Sequence, residues 1–327
     1  MPKRVLILSA AELPRALPLK EAVTAMEEAF RAPERDLQIP LRTQLTLKET
    51  GSTFFVMPAL GTSLKALGTK VAGVIPHNRD SGHDPVQAYY LLLSAADGRL
   101  LALMDGNYLT SARTAATSAL ATRLMARDVP SRLAIFGTGT QARFHLRVIP
   151  EVRQVVQAKI CGSSREKSES FASEVAPGFS FPVRAADPAD AVSDADILCT
   201  CTTSSVPVFR GADLKPGTHI NAIGAYQAHA RELDDRTARQ ARIVVDTMAG
   251  AMAEAGDILI PLASGVLLRT QIAGDLRQVV SGTVPGRTSE SEITVFKSVG
   301  FALEDLLAAL HAYENARKLG LGREVDL

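Results

Sequence analysis

The residues best suited to do chemistry lie in mid-chain, in the stretch "RLAIFGTGTQARFHL", residues 132–146. Leu133 to Phe136 form a short apolar run that stops at Gly137. A polar turn, Thr138 to Thr140, then leads into a segment that can continue as a helix. Gly137, Gly139 and Ala142 fit the pattern G-x-G-x-x-G/A. One glycine permits a tight turn, the next lets the backbone approach a pyrophosphate, and the small third residue lets helix and strand pack closely. A glycine turn also joins many strands and helices that bind nothing, so its meaning depends on its surroundings. The next strand ends "ICGSSREK". An NAD site usually carries an acid at that tip for the ribose hydroxyl. Here Ser163, Ser164 and Arg165 offer hydroxyls and a cation suited to a 2′-phosphate, which favours NADP and leaves NAD possible. Ser163 and Glu166 also have the spacing of a capping box, and the two roles are compatible.

The elements that must position this turn follow from patterning. Residues 17–31, "LPLKEAVTAMEEAFR", carry apolar residues at helical spacing. The segments "IPLRTQLTL", "STFFVMPAL", "LGTKVAGVIP", "VQAYYLLLSA" and "GRLLALMDG" are short, apolar-rich and separated by turn residues, which predicts an antiparallel sheet. "YLTSARTAATSALATRLMAR" turns helical, and its small residues allow close packing. Beyond residue 132 the strands "VVQAKICG", "FPVRAA", "ADILCTCT", "THINAIGA" and "ARIVVDT" follow, with the helix "SREKSESFASEVA" among them. Such alternation predicts a doubly wound parallel sheet, which binds ligands at the carboxyl ends of its strands. A final helix, "FALEDLLAALHAYENARKLG", can bury a stripe of Phe301, Leu303, Leu306, Leu307 and Leu310.

Composition narrows the function. The 327 residues suffice for two domains, and a net charge of +1 gives no electrostatic case for nucleic acid or an anionic membrane. The apolar runs are far shorter than the ~20 residues of a membrane span. In the N-terminal "MPKRVLILSAAELP", Glu12 and Pro14 cut the apolar stretch too short for a signal peptide. Three cysteines, Cys161, Cys199 and Cys201, read as buried thiols of a reducing compartment, hence a cytoplasmic protein. The six histidines show no ligand spacing, so no metal is expected.

The segments "LGTKVAGVIPHN", "LTSARTAATSALATRLMA", "FGTGTQARFHL" and "INAIGAYQAHARELDD", with the tail "TVFKSVGFALEDLLAA", resemble the ornithine cyclodeaminase and mu-crystallin family, in order and across nearly the whole chain. The resemblance implies a Rossmann-type nucleotide-binding domain, residues 116–299. It also implies an N-terminal α+β domain for substrate binding and dimerisation, residues 1–115 completed by 300–327, and hence a homodimer. It places carboxylate-binding cations at Arg42, Lys70 and Arg113. An arginine fork can hold an α-carboxylate with two charge-assisted hydrogen bonds. For the cofactor it implies contacts from Thr140, Gln141, Thr200, Thr202, Ile223 and Lys297 besides the two glycines. His77 and Asn78 fall where the family's strand enters the substrate cleft, although a histidine such as His77 read by itself is more often a capped turn residue than a catalytic one.

The family contains cyclodeaminases, alanine dehydrogenases, reductases of cyclic imino acids, and NADPH-dependent small-ligand carriers of the mu-crystallin kind. Cyclodeaminases carry an aspartate that falls here at Tyr226 and a glutamate that falls at Phe55. A phenol with an ordinary pKa of about 10 and a phenyl ring do not readily take over carboxylate proton transfer. The resemblance therefore implies reduction of a preformed cyclic ketimine, such as Δ1-pyrroline-2-carboxylate or Δ1-piperideine-2-carboxylate, to L-proline or L-pipecolate. Catalysis would rest on positioning in a dry site. Tyr226 is either a proton relay to the imine or a pocket wall.

Overall fold

The computed structural model describes residues 4–75, 77–78 and 82–327. The chain forms two compact units, Met1–Thr114 with Phe301–Leu327, and Ala115–Gly300.

The first unit begins with β1 (Arg4–Leu8), α1 (Leu13–Ala16) and α2 (Leu19–Arg31), and continues through β2 (Leu37–Gln38), β3 (Thr43–Leu47), β4 (Ser52–Gly61), β5 (Ala66–Val74), β6 (Val86–Ser94) and β7 (Leu100–Asp105). The helix α3 (Gly106–Met125) carries the chain onward, and the unit is completed by α11 (Ala302–Leu319) and β16 (Arg323–Asp326). The sheet order is β16-β1-β7-β6-β5-β4-β2, with β3 paired to β4. The strands β3 to β7 pair antiparallel, as their patterning predicts. The sheet as a whole is mixed, because β1 joins β7 in parallel. Alternation along β5 turns Ala66, Gly68, Lys70 and Ala72 inward. The apolar stripe of α2, from Ala22 to Phe30, is buried, and its end packs through Phe30 on Phe301. Helix α11 lies against α2, β4, β5 and β6. Leu303, Leu306 and Leu307 of its expected stripe are buried, whereas Phe301 and Leu310 are only partly so. Glu304 and Asp305 are also wholly buried, so the first turns of α11 are enclosed all round.

The second unit holds β8 (Ser131–Phe136), α4 (Thr140–Val148), β9 (Val155–Cys161), α5 (Arg165–Val175), β10 (Val183–Ala185), α6 (Pro188–Ser193), β11 (Ile197–Thr200) and β12 (His219–Ala222). It continues with α7 (Asp235–Gln240), β13 (Arg242–Val245), α8 (Met248–Glu254), α9 (Gly256–Ala263), β14 (Ile272–Asp275), α10 (Leu276–Val280) and β15 (Thr294–Lys297). Its sheet runs β10-β9-β8-β11-β12-β15-β13-β14, parallel throughout. The chain moves outward from β8 in one direction and from β11 in the other. The turn after β8 therefore lies at the switch point where such sheets bind ligands. The strand expected over "THINAIGA" stops at Ala222, since the N–H groups of Ile223 and Gly224 turn back to the Thr200 carbonyl.

Candidate active site

The glycine turn is built for a close backbone approach. Gly137 has φ +114°, and a Cβ there would stand 2.5 Å from the carbonyl oxygen of Cys201, so only glycine fits. Its N–H donates to the Cys161 carbonyl at 2.8 Å. Gly139 caps the N-terminus of α4 in extended conformation, with nothing within 4 Å of where its Cβ would be. Thr140 and Gln141 open the helix, and Ala142 is fully buried against the sheet. The unpaired N–H groups of this first turn present a partial positive charge over open space, which fits a pyrophosphate. Behind them His145 bridges the Gln141 carbonyl and Ser118 Oγ, each at 2.8 Å, and burial pushes its pKa down to about 4.

At the tip of β9 the residue that caps α5 is Ser164, not Ser163: its hydroxyl accepts from the Lys167 N–H at 3.3 Å. Ser163 accepts from the Lys167 ammonium at 3.2 Å. The Arg165 side chain is 79% exposed and pairs with Glu169 one turn on. Exposed pairs of this kind contribute only about 0.3–0.5 kcal/mol, so the guanidinium can be recruited elsewhere at little cost.

Three residues that the resemblance places beside the cofactor engage enclosed carboxylates through their side chains. Thr200 Oγ1 donates to Glu232 Oε2 at 2.7 Å, and the N–H and hydroxyl of Thr202 donate to Glu232 Oε1 at 2.8 and 2.7 Å. Lys297 is fully buried, ion-paired to Asp257 at 2.8 Å, and donates to the Ala225 carbonyl. The physical reason is the pair of enclosed carboxylates, which must be saturated where they lie. Burial drives the Glu232 carboxyl upward and the Lys297 charge opposes it. Glu232 also accepts from the N–H groups of Gly224 and Ala225, so it ties the loop after β11 to the loop after β12. Asp257 Oδ1 in turn receives the N–H groups of Glu232 and Leu233. Ile223 is buried within the second loop, and Tyr226 is half-buried against the hydrophobic core.

The predicted substrate cations meet acids that the sequence did not reveal. Lys70 projects from the inner face of β5 between its cross-strand neighbours Met57 and Tyr90. Its ammonium lies 2.9 Å from Asp305 Oδ1 and 2.8 Å from Oδ2. Arg113, from α3, donates through Nε to Asp305 Oδ1 at 3.1 Å and through a terminal nitrogen to Glu304. Burial pulls the Lys70 pKa down to about 8 against the opposing pull of Asp305. For Arg113 burial also works against the charge, and Asp305 and Glu304 together outweigh it. Arg42, just before β3, holds its guanidinium 4.9 Å from the centre of the Phe55 ring. Phe55 and Met57 share the buried face of β4 and pair with Ala72 and Lys70, which places that ring on the Lys70 side of the sheet. His77 and Asn78 lie in a short helical turn after β5. His77 is exposed, and the Asn78 amide closes the loop by donating to the Asp84 carbonyl at 3.0 Å.

Residues 3–320 match the sequence profile of the Ornithine cyclodeaminase/mu-crystallin family. The chain belongs to that family. It is 34% identical over 326 residues to a Delta(1)-pyrroline-2-carboxylate reductase of Bacillus cereus, covering 98% of this chain and all of the relative. It is 36% identical over 292 residues to the ketimine reductase mu-crystallin of Mus musculus, 89% of each chain. The structure of Thermococcus litoralis Delta(1)-pyrroline-2-carboxylate reductase in complex with NADH and L-proline superimposes with a TM-score of 0.94 at 35% identity, covering 98% of this chain and 100% of that one. The two positions at which the resemblance to cyclodeaminases implies carboxylates hold Phe55 and Tyr226. Phe55 lies under a guanidinium and Tyr226 packs on a hydrophobic core.

Proposed function

We propose that the protein is an NAD(P)H-dependent reductase of cyclic imino acids, converting Δ1-pyrroline-2-carboxylate or Δ1-piperideine-2-carboxylate to L-proline or L-pipecolate. The observation that carries this reading is the buried group of Lys70, Arg113, Glu304 and Asp305. Two cations matched by two carboxylates have no net charge, which suits a substrate that is itself a neutral zwitterion, an iminium carboxylate. The names of the Bacillus cereus and mouse relatives and the ligands of the Thermococcus litoralis protein support the same chemistry.

In this reading Lys70, Arg113 and Arg42 hold the α-carboxylate, and the Phe55 ring supplies an apolar wall in place of a second acid. The turn of Gly137, Gly139, Thr140 and Gln141 holds the pyrophosphate, with Ile223 along the nucleotide. Glu232 and Asp257 act through Thr200, Thr202 and Lys297 to keep the two neighbouring loops in register. When bound, the reduced nicotinamide supplies the hydride that saturates the imine carbon. Tyr226 orients the imine nitrogen or returns a proton to it.

Ser163, Ser164 and Arg165, with no acid at the strand tip, support a preference for NADPH. A homodimer is supported by the apolar residues on the outer face of the first sheet, Leu45, Phe54, Val71 and Tyr89, each 39–60% exposed. Three free thiols support a cytoplasmic site of action. No helix among the described residues is long and apolar enough to cross a membrane.

The test is consumption of NADPH or NADH by purified protein with each cyclic imine, beside pyruvate plus ammonium. Oxidation with an imine alone, faster with NADPH, is the expected result. Oxidation only when ammonium accompanies pyruvate would move the protein to amino-acid dehydrogenase chemistry, and tight NADPH binding without turnover would make it a carrier.

A further inference from the structure

Lys70, Arg113, Glu304 and Asp305 are each at most 5% exposed, and charges so deeply placed persist only when paired. Asp305 is the member common to both cations. Its Oδ1 accepts from Lys70 Nζ and from Arg113 Nε, and its Oδ2 lies 2.8 Å from Lys70. Among the described residues Asp305 is the one hydrogen-bond partner of Lys70. An ammonium has three donors, and Asp305 occupies at most two, so one remains to meet an anion. Glu304, the adjacent residue on α11, accepts from Arg113 and acts on Lys70 less strongly than Asp305 does.

Of the two carboxylates acting on Lys70, Asp305 is the stronger. Tyr90, opposite Lys70 on β6, is wholly buried, and its hydroxyl lies over Gly68, where a Cβ would stand 2.2 Å from the phenol oxygen. Burial, and then the charge of Asp305, keep that phenol neutral. Among the described residues, the titratable and charged groups facing Lys70 are thus Asp305 and Glu304 from α11, Arg113 from α3 and the Tyr90 phenol from β6.

We infer that Asp305 is a positioning residue of the substrate site, holding the Lys70 ammonium and the Arg113 guanidinium as one preset pair that receives the substrate's α-carboxylate. The inference rests on the reading of the site given above. Preset cations need no reordering when the anion arrives, which favours tight and oriented binding. Asp305 is also the strongest interaction opposing the burial that draws Lys70 down to about 8. Removing an opposite charge at this distance shifts a pKa by roughly 1–3 units, which leaves Lys70 largely neutral at neutral pH.

The experiment compares kcat/KM for Δ1-pyrroline-2-carboxylate across pH in wild type and Asp305→Asn at saturating NADPH. Cofactor affinity and the thermal transition are measured alongside. The substrate's own ionisation is common to both proteins and cancels in the comparison. The alkaline limb of Asp305→Asn is expected to move down by roughly 1–3 pH units, with a loss of roughly 10- to 1000-fold at mildly alkaline pH, mostly in KM. Lowering the pH is expected to restore activity, and NADPH affinity stays unchanged. A folded variant whose limb coincides with wild type, whatever its melting temperature, overturns the inference. Should Asp305→Asn fail to fold, Asp305→Glu moves the charge by one methylene. It is expected to raise KM with the limb in place, and an unaltered KM overturns the inference. Lys70→Met, assayed in parallel, separates the two levels: wild-type activity there removes the substrate-site reading together with the inference. An inactive Lys70→Met beside a wild-type-like Asp305→Asn removes the inference alone.

Discussion

Alanine substitution at the two glycines of the nucleotide turn is predicted to have opposite consequences. At Gly137 the backbone sits at φ +114°, and a non-glycine residue there costs about 1–3 kcal/mol. The new methyl would also stand 2.5 Å from the Cys201 carbonyl oxygen. That contact cannot relax easily, because the Cys201 N–H donates to Phe136 at 2.7 Å and the Gly137 N–H to Cys161 at 2.8 Å. Loss of one such bond adds about 0.5–1.5 kcal/mol. Gly137→Ala is thus expected to destabilise its unit by roughly 2–4 kcal/mol. In a unit of this size that lowers Tm by roughly 5–15 °C. Gly139 is extended, with φ −94° and ψ −168°, and has open space above it. Its alanine variant should keep stability to within about 1 kcal/mol. It should nonetheless lose at least about tenfold in NADPH affinity, near 1.4 kcal/mol, because the methyl occupies the approach to the pyrophosphate. Thermal melting and fluorescence titration with NADPH read the two effects separately. A Gly139→Ala protein that binds NADPH as tightly as wild type would refute the assignment of this turn.

Three further outcomes follow from the same structure. Lys297→Met leaves the Asp257 carboxylate buried and unpaired, so chemical denaturation should show a loss of about 3–5 kcal/mol; were Lys297 a cofactor ligand, NADPH affinity would fall and stability would hold. His311 lies 2.8 Å from Glu21 and 2.9 Å from Glu28, and although burial works against its charge, these carboxylates raise its pKa. A raised folded pKa means that this contribution is complete below the unfolded value of about 6.5 and fades as pH rises through the folded one. The urea midpoint should therefore fall more steeply with rising pH in wild type than in His311→Gln, and equal slopes would discount the pairing. Ser164→Asp keeps a helix cap but adds a carboxylate at the tip of β9. The ratio of kcat/KM for NADPH over NADH should drop at least about tenfold, and an unmoved ratio would show that the 2′-phosphate is bound elsewhere.

Legibility from the sequence varied with how local the causes were. The turn from Gly137 to Ala142 was readable because its glycines and small third residue stand within six residues of one another, between an apolar run and a helical segment. The parallel sheet was readable from apolar runs alternating with helical segments. The strand β14 escaped notice because "IAGD" is mostly small and acidic, and β15 because "TVFK" ends in a lysine whose complete burial only the fold reveals. Adjacent acids on a helix look like a solvated face. Nothing in their spacing shows that Asp305 meets Lys70 across 235 positions and Arg113 across 192. Thr200, Thr202 and Lys297 were found as residues, but their partners Glu232 and Asp257 become visible only once the chain has folded. Glu232 itself stands within the quoted stretch "INAIGAYQAHARELDD", and its role as the tie between two loops likewise appears only in the fold.

The most direct test of the account is product analysis after turnover of Δ1-pyrroline-2-carboxylate with NADPH carrying deuterium at the transferable hydride position. The predicted product is L-proline with a single deuterium at Cα, formed without added ammonium. Unlabelled proline, a label elsewhere in the ring, or no proline at all would contradict the assignment of imine reduction to this protein.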